Sequence, residues 1–186
     1  ALADGPVALE AARTTGLKSQ RERDYVDALA GFFKDQDKLN HRARAKALED
    51  AMAQVAQRYP DDKEASILYA LILSSNFDPT DRQYTNQLKA AGILEPISTA
   101  QPDHPGVAHY LIHSYDAPPI AIQGLPAARR YSSIAPAAPH ALHMPSHIFT
   151  RVGAWEDSVA TNHRASEVAK KGGEPDQAYH ASDYTV

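Results

Sequence analysis

Histidine is the residue of this chain best suited to chemistry, and it is unevenly spread. Of nine histidines, six lie between His104 and His147. That window holds two His-x-x-x-His pairs, His109 with His113 and His143 with His147. In a helix, positions i and i+4 share one face a turn apart, so each pair can offer two imidazoles to one metal ion. The pairs are related to each other: His109 to His143 is 34 residues, as is His113 to His147 and Tyr115 to Phe149. Asp116 follows His113 by three positions and Asp183 follows His180 by three, each setting a carboxylate beside an imidazole on one helix face. His104 and His140 precede the two paired helices and stand as further ligands or as groups behind ligands.

Imidazole joined by carboxylate suits Zn, Cu, Ni or Fe, with geometry deciding among them. The chain has no cysteine, which excludes disulfides, thiolate zinc sites, iron–sulfur clusters and cysteine nucleophiles. Structural zinc normally draws on thiolates, so an imidazole-rich site reads as open or exchangeable. Neither pair is His-Glu-x-x-His, because Tyr110 and Met144 hold the glutamate's position. A metal-dependent hydrolase or oxygenase would therefore need another base, with Asp116 and Asp183 nearest in sequence. No phosphate loop, nucleophile elbow or dinucleotide fingerprint is present. Ser146 and His147 are neighbours whose side chains point apart on a helix, which is not a triad geometry. The plain alternative is a polar groove whose histidines hydrogen-bond to backbone, to Tyr110 or Tyr115, or to one another. His41 and His163 are isolated and read as surface residues.

The elements that must position these rings are helices. The chain has 186 residues, 43% of them hydrophobic and 23% charged, with mean hydropathy −0.46, net charge −4 and pI about 6.1. That is globular composition, with no basic stripe for nucleic acid and no apolar run long enough for a membrane span. Apolar residues recur at spacings of three and four, which predicts helices over 23–33, 41–59, 63–75, 81–99, 105–116, 120–134, 143–152, 155–171 and from 177 onward. Pro96 should kink or end the fourth of these. Pro145 is tolerated only in a first helical turn, so its helix should start near Leu142 or at Pro145 itself, the latter leaving His143 in a loop. Residues 1–22 read as an extension or partial helix ahead of a repeat domain over 23–186. The abrupt finish at Tyr184-Thr185-Val186 reads as a fragment of a longer array.

An internal repeat is visible. An apolar residue is followed by others at +4 and +7 and by proline at +12, in Leu48/Met52/Val55/Pro60, Ala90/Leu94/Ile97/Pro102 and Ala127/Tyr131/Ile134/Pro139. The +4 and +7 positions share a helix face, and the proline ends the helix. Each unit is thus a helix pair that must stack on neighbours. This pattern resembles the tetratricopeptide repeat, whose unit is about 34 residues. A fourth unit, 143–171, keeps Phe149, Gly153 and Trp155 but is polar at Asn162. The segments 104–116 and 140–149 look like a histidine-rich bacterial family of this type, without an established reaction. The resemblance implies an all-α, right-handed helix-pair solenoid of three to four repeats. It implies that first helices line a concave groove, so the paired histidines would face a groove able to hold a metal ion or a peptide or protein segment. It also implies a packing role for Trp155 and a periplasmic or secreted location. One repeat earlier, Ile67 and Leu71 occupy the paired positions, so the histidines are a local addition.

Overall fold

The computed structural model describes residues 2–185. Helix accounts for 74% of the structure and no strand occurs among the described residues, so the fold is all-α as expected. The chain divides into two compact units, Ala1–Lys89 and Ala90–Val186.

The first unit contains α1 (Asp4–Thr14), α2 (Gln20–Phe33), α3 (His41–Arg58) and α4 (Lys63–Ser75). Residues 1–22 thus include a full helix of their own. Local chemistry marks the starts of α2 and α3. Ser19 accepts from the Glu22 backbone N–H while the Glu22 carboxylate accepts from the Ser19 N–H, a reciprocal cap. Asn40 accepts from the Ala43 N–H. Met52, Val55, Ala28 and Ala65 form the core, with Leu48, Tyr25 and Tyr59 packed against it. Two phenols tie the helices together: Tyr25 donates to Asp62 at 2.8 Å and Tyr59 donates to Asp24 at 2.7 Å. His41 is exposed, with its ring edge-on to Phe32.

The boundary between the units falls within α5 (Thr85–Ala100). Contrary to expectation, Pro96 does not end this helix. Pro96 and Gly92 are both exposed, so water can replace the donor that the ring removes from the Gly92 carbonyl. The second unit then continues with α6 (Pro105–Tyr115), a 3-10 turn (Ala121–Gly124), α7 (Leu125–Ile134), α8 (Pro139–His143), α9 (Pro145–Val152), α10 (Trp155–Gly172) and α11 (Pro175–Asp183). The helices over 81–99 and 120–134 start later than the sequence suggests, and 120–134 is split by the 3-10 turn. The buried faces are those of the repeat pattern: Ala90, Leu94 and Ile97 on α5, Ala127 and Tyr131 on α7. Leu142 on α8, Ala165 on α10 and Ala181 on α11 form a common apolar cluster.

Two features place the histidine helices. A Cβ at Gly124 would lie 2.9 Å from both Tyr115 Cβ and Ile148 Cδ1, so only glycine lets the 3-10 turn sit between α6 and α9. Prolines open α6, α8 and α9 at first-turn positions, where the missing N–H costs no helical bond. Trp155 departs from the packing role implied by the resemblance. It is 63% exposed because it opens α10 directly after Gly153 in the left-handed conformation. Helical side chains lean toward the helix N-terminus, so a first-position indole leans off the helix end.

Candidate functional site

The paired histidines come together within the second unit. Their rings form a closed circuit with His140: His109 to His113 is 4.8 Å between ring centroids, His113 to His147 6.5 Å, His147 to His143 5.0 Å, His143 to His140 6.2 Å and His140 to His109 5.1 Å. His180 on α11 approaches the His143 ring at 4.5 Å. Tyr184 lies against His143, His147 and His180.

Pro145 does begin α9, yet His143 is not left in a loop. It closes α8, and Met144 between the two helices keeps right-handed helical dihedrals, φ −51° and ψ −37°. The i, i+4 register therefore passes through the proline. His143 Nε2 and His147 Nε2 stand 3.1 Å apart, and on the unbroken α6 His109 Nε2 and His113 Nε2 stand 3.0 Å apart. Two imidazoles bound at about 2.0–2.1 Å to one ion, subtending about 95–110°, have nitrogens about 3.0–3.4 Å apart. Both pairs fit that spacing, and both also fit a hydrogen bond.

The far side of each ring separates these readings. His143 Nδ1–H donates to Asn162 Oδ1 at 2.7 Å, and the Asn162 amide is oriented by donating to the Ser158 carbonyl at 2.9 Å. His147 Nδ1–H donates to Asp116 Oδ2 at 3.0 Å, while Arg151 Nε–H donates to the other Asp116 oxygen at 3.0 Å. With a proton on each Nδ1, the neutral rings carry their lone pairs at Nε2. Those lone pairs face each other at 3.1 Å and repel unless a cation, a proton or a metal ion, lies between them. The first pair is held differently. His109 Nδ1 lies 3.3 Å from the Tyr131 hydroxyl, which both donates and accepts, and among the described residues no oxygen holds Nδ1 of His113. One of these rings can therefore donate from Nε2 to the other.

Burial favours the uncharged rings. It lowers the pKa of His109 and of His143 to about 4, and of His113 and His140 below the ordinary value, with neighbouring imidazoles adding to the effect. In His143 the Asn162 hydrogen bond works the other way, second in size to burial. Burial also raises the Asp116 carboxyl, but the His147 hydrogen bond and Arg151 outweigh it and hold it below the usual range. Burial raises the Tyr131 phenol, helped by Tyr110.

The other sequence candidates fall around this ring. His104 is the N-cap residue of α6, its Nδ1 accepting from the Val107 N–H at 3.2 Å. Tyr110 packs against the His109 ring. Tyr115 is buried and donates to Glu95 at 2.6 Å, away from the rings, and burial with that carboxylate raises its pKa. Asp116 stands behind His147. Asp183 is exposed and lines a separate pocket with Trp155, Val159 and Thr185. Asn162, Tyr131, Arg151 and Tyr184 were not legible as functional. The signals were present for two of them: Asn162 is a polar residue on an apolar helix face, and Tyr184 follows His180 by four.

Among the described residues no three or more His, Cys, Asp or Glu side chains are grouped as a ready metal centre. The donors come in couples. No family model, curated protein or solved structure matches the chain. No helix among the described residues is long and apolar enough to cross a membrane.

Proposed function

We propose that the second unit binds a divalent transition-metal ion, Zn, Cu, Ni or Fe, through Nε2 of His143 and His147. The observation that supports this is the anchoring of both Nδ1–H groups, by Asn162 Oδ1 and Asp116 Oδ2. Such outer partners set tautomer and ring direction in metal-binding histidines. Burial holds the His143 ring in the neutral form a metal needs. The exposed His180 is the nearest side chain for a third donor. Remaining positions would be filled by water or an exogenous ligand, as in open sites. In this reading the unit belongs to a helix-pair solenoid of tetratricopeptide type, with the metal in its groove. The 34-residue offset between the pairs supports that arrangement.

The test is elemental analysis of untagged protein, followed by zinc titration after chelator treatment. Bound metal that is lost in His147→Ala is the expected result. A chain that takes up none of Zn, Cu, Ni or Fe would remove the proposal.

A metal-free peptide- or protein-binding groove is the second reading. It is favoured by the first pair, which closes by a His–His hydrogen bond without any cation. A catalytic reading, hydrolase or oxygenase, rests on the open positions alone, since both oxygens of Asp116 are already engaged.

A further inference from the structure

We infer that the histidine ring takes two metal ions per chain, at inequivalent sites filled in order, rather than one ion held by four histidines. This rests on the metal-binding reading above. A single tetrahedral four-histidine centre, the zinc geometry, needs every pair of its donor nitrogens within about 3.0–3.4 Å. Among the described residues, hydrogen-bond distance between Nε2 atoms is seen inside each couple, at 3.0 and 3.1 Å. The rings that would bridge the couples, His113 and His147, have centroids 6.5 Å apart, and no group of three donors is assembled among the described residues. Each couple sits on its own helical segment, α6 or α8–α9, whose rigid backbone sets the i, i+4 spacing. One ion in each couple uses the nitrogen spacings already present, whereas a shared centre requires the His113 and His147 rings to move closer together.

The order of filling follows from the anchors. At His143 and His147 both lone pairs already face inward, and an ion there relieves their repulsion. At His109 and His113 an ion must first displace the hydrogen bond between the rings, and the donor ring must move its proton from Nε2 to Nδ1. The His143/His147 site is the tighter one, and the His109/His113 site fills second. Asp116 accepts from the His147 ring, and Arg151 neutralises it. Two divalent cations would therefore leave a positive centre with vacant positions.

Calorimetric zinc titration of the chelator-treated full chain tests this, with His113→Ala as the variant because that ring belongs to the first couple alone. Two equivalents are expected, the second at least tenfold weaker, with only the first surviving in His113→Ala. Tyr131→Phe, which keeps both couples, should retain two. One equivalent in the parent chain that is weakened or lost in His113→Ala would establish a shared four-histidine centre and overturn the inference while leaving the metal-binding reading intact. Two equivalents persisting in His113→Ala would also overturn it, by removing His109 and His113 from the second site. No binding in the parent chain would overturn both.

Discussion

The His109/His113 and His143/His147 pairs have the same spacing, nearly the same nitrogen separation and the same lowered pKa at one member, about 4 at His109 and at His143. They differ in what stands behind the rings. Behind the second pair are groups that only accept from an imidazole: the carbonyl oxygen of an oriented amide and a carboxylate. Behind the first is a phenol that can reverse its role. The difference decides where the protons reside, and so whether a couple is satisfied by itself or demands a cation. Two matching His-x-x-x-His motifs are therefore not two matching sites. Their outer partners, drawn from other helices, set the chemistry.

The largest expected effect comes from removing the most buried of those partners. Asn162 is 0% exposed. In Asn162→Leu the His143 N–H loses its acceptor in the interior. An unsatisfied buried donor costs about 1–3 kcal/mol of stability, and loss of an outer partner lowers metal affinity about 10–100-fold. Chemical denaturation and zinc titration measure the two. Unchanged affinity at the first equivalent would mean that the anchors do not distinguish the pairs.

Acid should act on the pairs alike. For His109 and His143 the folded pKa of about 4 lies below the ordinary value of about 6.5. Between these values the unfolded chain binds more protons than the folded one, so stability falls as pH falls. The contribution is fully present above about pH 6.5 and lost through about pH 4. The thermal midpoint of metal-free protein, followed from pH 7 to 4, should drop across this window. His109→Gln and His143→Gln should each flatten the drop by comparable amounts. A flat profile in the parent chain would show that the rings are not held neutral by burial.

The helices were readable because their faces repeat at three and four residues and are punctuated by proline and acidic turns. The span 63–75 agrees with α4 at both ends. α1 was read only as an extension or partial helix because its apolar face is thin, with Leu9 its one buried residue. Trp155 misled because the resemblance assigned it a packing role, although the helix expected over 155–171 already began at it and a first-position side chain leans off the helix end. The histidine couples were legible because i, i+4 spacing is local. What holds the rings was less so: Asn162 lies 19 residues from His143 and Asp116 31 residues from His147, and no local pattern pairs residues so far apart. Asp116 was read as a metal donor beside His113 on its own helix; the structure shows it accepting from His147 Nδ1 on another segment.

That role sets the next expected effect. Asp116→Asn keeps the size and one acceptor oxygen but removes the charge, and hydrogen bonds to charged groups are about twice as strong as neutral ones. Zinc affinity at the first equivalent should fall about tenfold, at the lower edge of the range for outer partners. His113→Ala in the same background should add nothing to that loss. If Asp116 is instead a ligand, the variant should remove the first equivalent altogether.

The smallest effect should come from the first pair's own partner. Tyr131→Phe deletes the hydroxyl 3.3 Å from His109 Nδ1 and leaves a ring of the same shape in the core, so stability should change by under about 1 kcal/mol. The couple can still close through Nε2, with either ring as donor, which is why the loss is small where Asn162→Leu is costly. The first zinc equivalent should be unaffected and the second weakened by less than about tenfold. A loss at the second equivalent as large as that of Asn162→Leu at the first would erase the distinction between the pairs. It would show that Tyr131 is a committed acceptor and that the lone pairs of His109 and His113 already face a cation site.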